Sequence, residues 1–367
     1  MSKVSLIRCE SYDQSKVFEA VKRSVDLLGG IGEFVKPGMK VLLKPNLLSP
    51  RPPEDAVDTH PEVVRAVVRL VKSAGGIPII GDSPGGFGKN IDEVYRISGM
   101  RKVADEEGIE LVKFSSSKIS GGIPISRYVF DAGCFISLPK LKTHCVTVLT
   151  AALKNTFGTI PGLYKAGCHS RAPKEGEFAA LIARVHSIAR PHLNILDGIV
   201  AMEGDGPSGG KPRAMNVIAA SRDAVALDSS LAHMMGLKPL DILVTKEAAA
   251  LGLGESDLSK IEIAGEALEN FVNKNFVLPQ TLPLHLVPTG IAHGIASLIR
   301  FKPYIDMDIC ARCNLCKLSC PTSAISIEPD DCRVDYSKCI VCMCCHEVCP
   351  YKAIRIKRNI LTKLVWG

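Results

Sequence analysis

Aromatic residues are scarce, at 5% of 367 residues, and the single tryptophan, Trp366, is penultimate. The core must therefore be built from aliphatic side chains. Long apolar runs are also lacking. The nearest approach, Leu282 to Ile299, is interrupted by Pro283 and Pro288. Nothing reaches the roughly eighteen apolar residues that mark a membrane helix, so no membrane span is expected. The opening "MSKVSLIRCESYDQ" has no apolar signal-peptide core, and a reducing cytoplasm is the expected compartment. No basic stripe is present, because the 45 Lys and Arg are scattered among 38 Asp and Glu. The formal charge of +7 would fall to about +3 with two bound cubane clusters, and no nucleic-acid partner is expected. "GDSPGGFG" lacks the G-K-[ST] of a phosphate-binding Walker loop, and G-x-G-x-x-G is absent. A composition of 46% hydrophobic and 23% charged residues excludes a disordered chain.

Cysteine is thin over most of the chain and dense at its end. Four lie before position 310 and ten in the last 58 residues. Two segments repeat with a period of 29, "CARCNLCKLSCPTSAISI" from Cys310 and "CIVCMCCHEVCPYKAIRI" from Cys339. Both read C-x2-C-x2-C-x3-C-P. That is the spacing of bacterial two-cluster ferredoxins, where the fourth cysteine of each run serves the other cluster. Two 4Fe–4S clusters are predicted. Cys310, Cys313, Cys316 and Cys349 would bind one, and Cys339, Cys342, Cys345 and Cys320 the other. Three close thiols wrap one face of a cube and the remote fourth closes it. A zinc knuckle or a disulfide knot would not explain two identical spacings each ending in proline. Cys344 and Cys332 are surplus, read as small buried fillers, with a thiol beside a cluster as the alternative.

Residues 1–300 alternate between strand-like and helix-like stretches, as an open, mostly parallel α/β sheet would. Met39–Asn46 reads as a buried strand. Helix signals begin at Thr59, in capping-box spacing with Glu62, and end at Gly75 and Gly76. Further helices are expected over Asn90–Glu107, Val146–Thr156, Glu177–Ala189, Arg222–Met235 and Leu240–Leu251. Strands are expected over Glu110–Phe114, Cys134–Leu138, Leu193–Leu196, Val217–Ala220 and Ile261–Ala264. A small α+β ferredoxin-like domain follows over 301–358, then a basic tail over 359–367.

Such sheets bind ligands at the carboxyl ends of their strands. Lys44 and Asn46, Asp82 and Ser83, Lys140, Lys142 and His144, and Glu203 all follow strand-like runs. Lys154 and Asn155 lie on an expected helix. Singly, each has a plain reading as a cap, a turn or a solvated charge. Together they predict a shared polar pocket. Asp82, His144 and Glu203 would move protons. Lys44, Asn46, Ser83, Lys140, Lys142, Lys154 and Asn155 would hold an anionic small molecule.

"VLLKPNL", "THPEVVRAVV", "GDSPGG", "SLPKLKTH", "ALKNTFG", "LDGIVAMEGDGPSGG" and "DAVALD" occur in an order that resembles the domain-of-unknown-function 362 family. The chain is similar to its subgroup with a C-terminal two-cluster ferredoxin domain. The resemblance covers nearly the whole chain and implies the α/β fold, the clusters and an anaerobic bacterial or archaeal setting, but no reaction. The expected function is single-electron transfer from two clusters to an anionic substrate or cofactor in the α/β domain. The alternative is an electron-carrying module that docks and reduces a partner. Either needs a soluble electron donor or acceptor protein.

Overall fold

The structure is a computed structural model that describes residues 1–85, 91–162, 164–281, 301–329 and 331–357. The apolar stretch from Leu282 to Ile299, Asn90, most of "GGFG" and the basic tail lie outside the described residues.

The strands are β1 (Ser2–Arg8), β2 (Lys40–Pro45), β3 (Ile77–Asp82), β4 (Glu110–Lys113), β5 (Ser117–Ser120), β6 (Ile123–Ser126), β7 (Cys134–Leu138), β8 (Lys140–His144), β9 (Val148–Thr150), β10 (Leu193–Glu203), β11 (Lys211–Ser221) and β12 (Ile261–Gly265). The main sheet runs β12-β1-β11-β10-β7-β2-β3-β4, with β8 and β9 branching from β10. It is mostly parallel. β11 runs antiparallel to both its neighbours, and β9 runs antiparallel to β8. A separate hairpin pairs β5 with β6.

The helices are α1 (Gln14–Asp26), α2 (Pro61–Ser73), α3 (Ile91–Ile97), α4 (Met100–Glu107), α5 (Arg127–Asp131), α6 (Ala152–Asn155), α7 (Tyr164–Arg171), α8 (Glu175–Ala189), α9 (Ala224–Met234) and α10 (Leu243–Ala250). Strand alternation sends Val41 and Leu43 into one aliphatic core under α1–α4, and Leu42 into a second under α6 and α8–α10. α2 buries Val63, Val64, Val67, Val68, Leu70 and Val71 in the first core. Each contributes about 1.5–3 kcal/mol relative to exposure.

Several local expectations are corrected. α2 is capped by His60, whose Nδ1 accepts from Glu62 N. The Thr59 hydroxyl instead donates to Leu138 O and accepts from Asn46 N, tying two strand ends together. The helix expected from Asn90 to Glu107 breaks at Ser98 and Gly99 into α3 and α4. The helix expected over Val146–Thr156 is strand β9 followed by α6. α6 starts at Ala152 because the Asp228 carboxylate from α9 accepts from Ala152 N and Leu153 N at 2.8 and 3.1 Å. The strand expected over Leu193–Leu196 is longer than that. β10 continues to Glu203 through an irregularity between Gly198 and Val200, and pairs with β11.

The iron–sulfur unit is small. β13 (Lys302–Ile305) pairs with β16 (Ile354–Lys357), and β14 (Ile325–Ile327) pairs with β15 (Cys332–Val334). Two short helices, α11 (Leu315–Leu318) and α12 (Cys344–Val348), follow the cysteine loops.

Candidate functional site

The repeat seen in the cysteines is also written in the backbone. Arg312, Asn314 and Ser323 have positive φ, as do Val341, Met343 and Lys352 at the same positions 29 residues on. Such φ values cost a non-glycine residue about 1–2 kcal/mol and persist where something over-determines them. Left-handed residues interleaved with others form amide concavities of the kind that hold iron–sulfur clusters. Ala324 N donates to Cys320 Sγ at 3.2 Å and Ala353 N to Cys349 Sγ at 3.3 Å, again equivalent positions. One cavity is bordered by Cys310, Cys313, Cys316 and Cys349, a second by Cys320, Cys339, Cys342 and Cys345. Those are the two crossed sets expected from the spacing. Among the described residues, no three His, Cys, Asp or Glu side chains could hold a single metal ion. The thiols ring spaces that suit a polynuclear cluster. Cys332 packs in the unit's core and donates to Glu328 O. Cys344 borders the second thiol cavity.

The unit seats on the carboxyl edge of the main sheet through α12. Every residue of α12 is buried. Glu347 Oε1 meets His144 Nε2 at 2.8 Å. His144 Nδ1 accepts from Val146 N and Thr147 N, so Nε2 carries the proton and donates to Glu347. Ser208 Oγ donates to His346 O at 2.8 Å, and Arg51 donates to Cys349 O. Gly209 permits this approach, because a Cβ there would lie 2.6 Å from His346 Nε2. Cys145, Phe301 and Met343 pack together beside it.

Between the sheet edge and α12 lies a cavity. Lys44, Asn46, Asp82 and Ser83 reach it from the ends of β2 and β3, and Lys154 and Asn155 from α6. Lys165 and His169 come from α7, and Ser319, Cys344, Glu347 and Val348 from the iron–sulfur unit. Leu47, Leu48 and Phe157 supply apolar wall. Lys44 Nζ lies 2.7 Å from Asp82 Oδ1 and donates to Pro45 O and Asn155 Oδ1. Asp82 is held by Leu47 N and Ser83 N. Lys165 Nζ donates to Ser83 O and Pro84 O. Lys154 makes no hydrogen bond or ion pair among the described residues, and its Nζ lies over the Phe157 ring.

Burial dominates the electrostatics. It pushes the Lys44 and Lys154 ammonium groups down, with Asp82 and Glu347 respectively pulling them back. Burial carries Lys165 down to about 7, opposed by Asp82 and aided by Lys44 and Lys154. His169 falls to about 4 and His144 to about 3 for the same reason, so both are neutral. Burial works against charge on Glu347 as well. Lys154 and the His144 bond overrule it and hold the carboxyl well below its usual range.

Six of the ten residues expected to form the pocket line this cavity: Lys44, Asn46, Asp82, Ser83, Lys154 and Asn155. The other four do not. Lys140 is fully buried against Asp197 at 2.7 Å and Tyr12. Lys142 donates to Val57 O beneath the edge, where burial lowers its pKa and Asp58 opposes. His144 touches the cavity only through Glu347. Glu203 is carried past the edge by the long β10, accepts from Val277 N and faces Arg213. Lys165, His169 and Glu347 also line the cavity, though they were not among the expected residues. Glu347 did carry a signal, since its counterpart in the first repeat is Leu318. Lys165 carried none.

An α/β sheet edge closed by paired thiol cavities defines an iron–sulfur protein. Residues 41–233 match the family described as domain of unknown function (DUF362), and residues 303–326 and 333–355 match the 4Fe–4S binding domain. The chain belongs to the DUF362 family, binds 4Fe–4S and has an iron–sulfur electron-transfer role. It is 36% identical over 286 residues to a thylakoid-associated protein of Synechocystis sp., covering 76% of this chain and 88% of that one. Two solved structures are more distant, each 13% identical. One is a protein from Thermotoga maritima, with a TM-score of 0.37 over 66% of this chain and 60% of that one. The other is the lactate racemase apoprotein from Thermoanaerobacterium thermosaccharolyticum, with a TM-score of 0.38 over 62% and 55%. The chain thus spans less than two thirds of either structure. No helix among the described residues is long and apolar enough to cross a membrane.

Proposed function

We propose that the chain is an oxidoreductase working in a reducing cytoplasm. It seats an anion with an apolar body in the lysine cavity and delivers single electrons to it from the iron–sulfur unit. The observation that carries this reading is that both units wall one cavity, Lys44, Lys154 and Lys165 on one side, Cys344, Glu347 and Val348 on the other. The eight cysteines that ring the two thiol cavities hold two 4Fe–4S clusters, and the pair supplies one-electron chemistry when bound.

The chain's own residues then divide the work. Lys154 is the ammonium free to meet the anion. Asp82 fixes Lys44, which closes the floor. Three lysines face two carboxylates, Asp82 and Glu347, and an uncompensated buried cation favours a bound anion. Asn46 Oδ1 is buried with no hydrogen-bond partner among the described residues, leaving an acceptor for a donor group on the ligand. Leu47, Leu48, Phe157 and Val348 take the apolar body. Lys165, with a pKa of about 7, can give or take a proton at ordinary pH. His144 is a positioning residue that holds Glu347.

Calorimetric titration of the anaerobically purified chain with benzoate and with inorganic phosphate tests this. At least one should bind at one site per chain. Lys154→Met should weaken it by about tenfold or more, which is about 1.4 kcal/mol. No binding of either, or equal binding to the variant, would favour the docking-module reading.

A further inference from the structure

The iron–sulfur unit is internally repeated, so each residue of its docked helix has a counterpart 29 positions earlier. The two halves are treated oppositely. α12, from Cys344 to Val348, is wholly buried on the α/β sheet edge. In the counterpart α11, Leu315 is 39% and Leu318 50% exposed, and Lys317 is exposed between them. Tyr351, 51% exposed, borders the same thiol cavity as Leu315 and Arg312. Cys313 is the exposed thiol of the eight in the repeats.

The two thiol cavities also differ in what lies beside them. The Cys320/Cys339/Cys342/Cys345 cavity shares Cys344 with the lysine cavity. The Cys310/Cys313/Cys316/Cys349 cavity shares no lining residue with it. One thiol cavity therefore borders the anion site and the other does not. Arg312 borders this other cavity, Lys317 and Lys352 adjoin Leu318 and Tyr351 in the sequence, and none of the three makes an ion pair among the described residues. The exposed acids beside it in the sequence are Asp308, Glu328 and Asp331, the last paired with Arg333. An apolar centre flanked by three cations without ion pairs complements an acidic partner, and a small face suffices for a transient redox encounter.

We propose that the face formed by Arg312, Cys313, Leu315, Lys317, Leu318 and Tyr351 docks an acidic one-electron carrier protein. One electron leaves the reduced carrier and enters the chain there. The carrier is oxidised by one electron, the chain is reduced by one, and no bond or proton is transferred. The proposal rests on the electron-transfer role and not on the anion cavity.

The test uses the full anaerobically purified chain and a reduced flavodoxin, an acidic carrier whose flavin colour is distinct. Stopped-flow mixing gives the second-order rate for the wild type, Lys317→Glu, Leu318→Asp and a remote control, Lys238→Glu. Dithionite reduction and iron content are measured in parallel. Lys317→Glu should slow the carrier reaction about tenfold or more at low salt, with a smaller difference at high salt. Leu318→Asp should also slow it, and the control should stay within about twofold. Dithionite reduction and iron content should not change. Equal carrier rates in all four proteins would overturn the proposal. So would a sedimentation dimer that Leu318→Asp abolishes, because a second copy would then cover the face. Co-pelleting with anionic phosphatidylglycerol vesicles that both variants lose would overturn it in favour of a lipid surface. A chain that dithionite cannot reduce would instead sink the electron-transfer role itself.

Discussion

Replacing Gly158 by alanine should disable the anion cavity without touching a charge. Gly158 lies on the turn after α6, over the Lys44–Asp82 pair. A Cβ there would lie 2.5 Å from Lys44 Nζ, 2.5 Å from Asp82 Oδ1 and 2.7 Å from Lys44 Cε. Ordinary contact begins near 3.4 Å, so the methyl group is about 0.9 Å too close to both partners at once. Asp82 cannot retreat easily, because its oxygens are held at 2.8 Å by Leu47 N and 2.7 Å by Ser83 N. Lys44 must yield, and it also holds Pro45 O and Asn155 Oδ1. Overpacking alone costs about 1–3 kcal/mol. Parting a buried ion pair costs about 3–5 kcal/mol. Partial separation should therefore destabilise the protein by about 3 kcal/mol and weaken benzoate or phosphate binding. Denaturant unfolding and calorimetry of the anaerobically purified variant measure both. Wild-type stability together with wild-type affinity would refute the view that this pair floors the cavity.

Cys345→Ser should lose or convert one cluster, while Cys344→Ser should keep about eight irons per chain; iron and sulfide analysis decides, and equal loss in both would overturn the ligand assignment. Anion affinity should depend on pH through Lys165. Its ammonium form prevails below about 7 and is lost above, and a bound anion favours that form. Affinity should thus be flat below pH 7 and fall above it by up to about tenfold per unit, with proton uptake on binding, and Lys165→Met should flatten the profile. Asp197→Asn should strand the buried Lys140 and cost about 3–5 kcal/mol in denaturant unfolding, yet leave anion affinity unchanged. A selective loss of affinity there would return Lys140 to the binding site.

The cysteine sets were legible in the sequence because a cluster loop is local. Three thiols within seven residues can wrap one face of a cube only in a few ways, and the duplicated spacing names the crossed fourth. The sheet was legible for a related reason: aliphatic runs bounded by turns do not survive unless both faces are covered. Residues at the ends of those runs, Lys44, Asn46, Asp82 and Ser83, fell into the cavity by topology alone. Where tertiary partners compete with local pattern, spacing lost its authority. Asp228 sets where α6 begins, from 76 residues away. The β10–β11 pairing draws Glu203 past the edge, and Asp197 claims Lys140 for the interior. The cavity itself joins Lys44 to Glu347, a separation no local signal spans. Two halves of a repeat with the same spacing became different surfaces because only one of them packs on the sheet. Burial there converts Glu347 from a surface charge into a partner of His144 and Lys154, and that choice belongs to the folded chain.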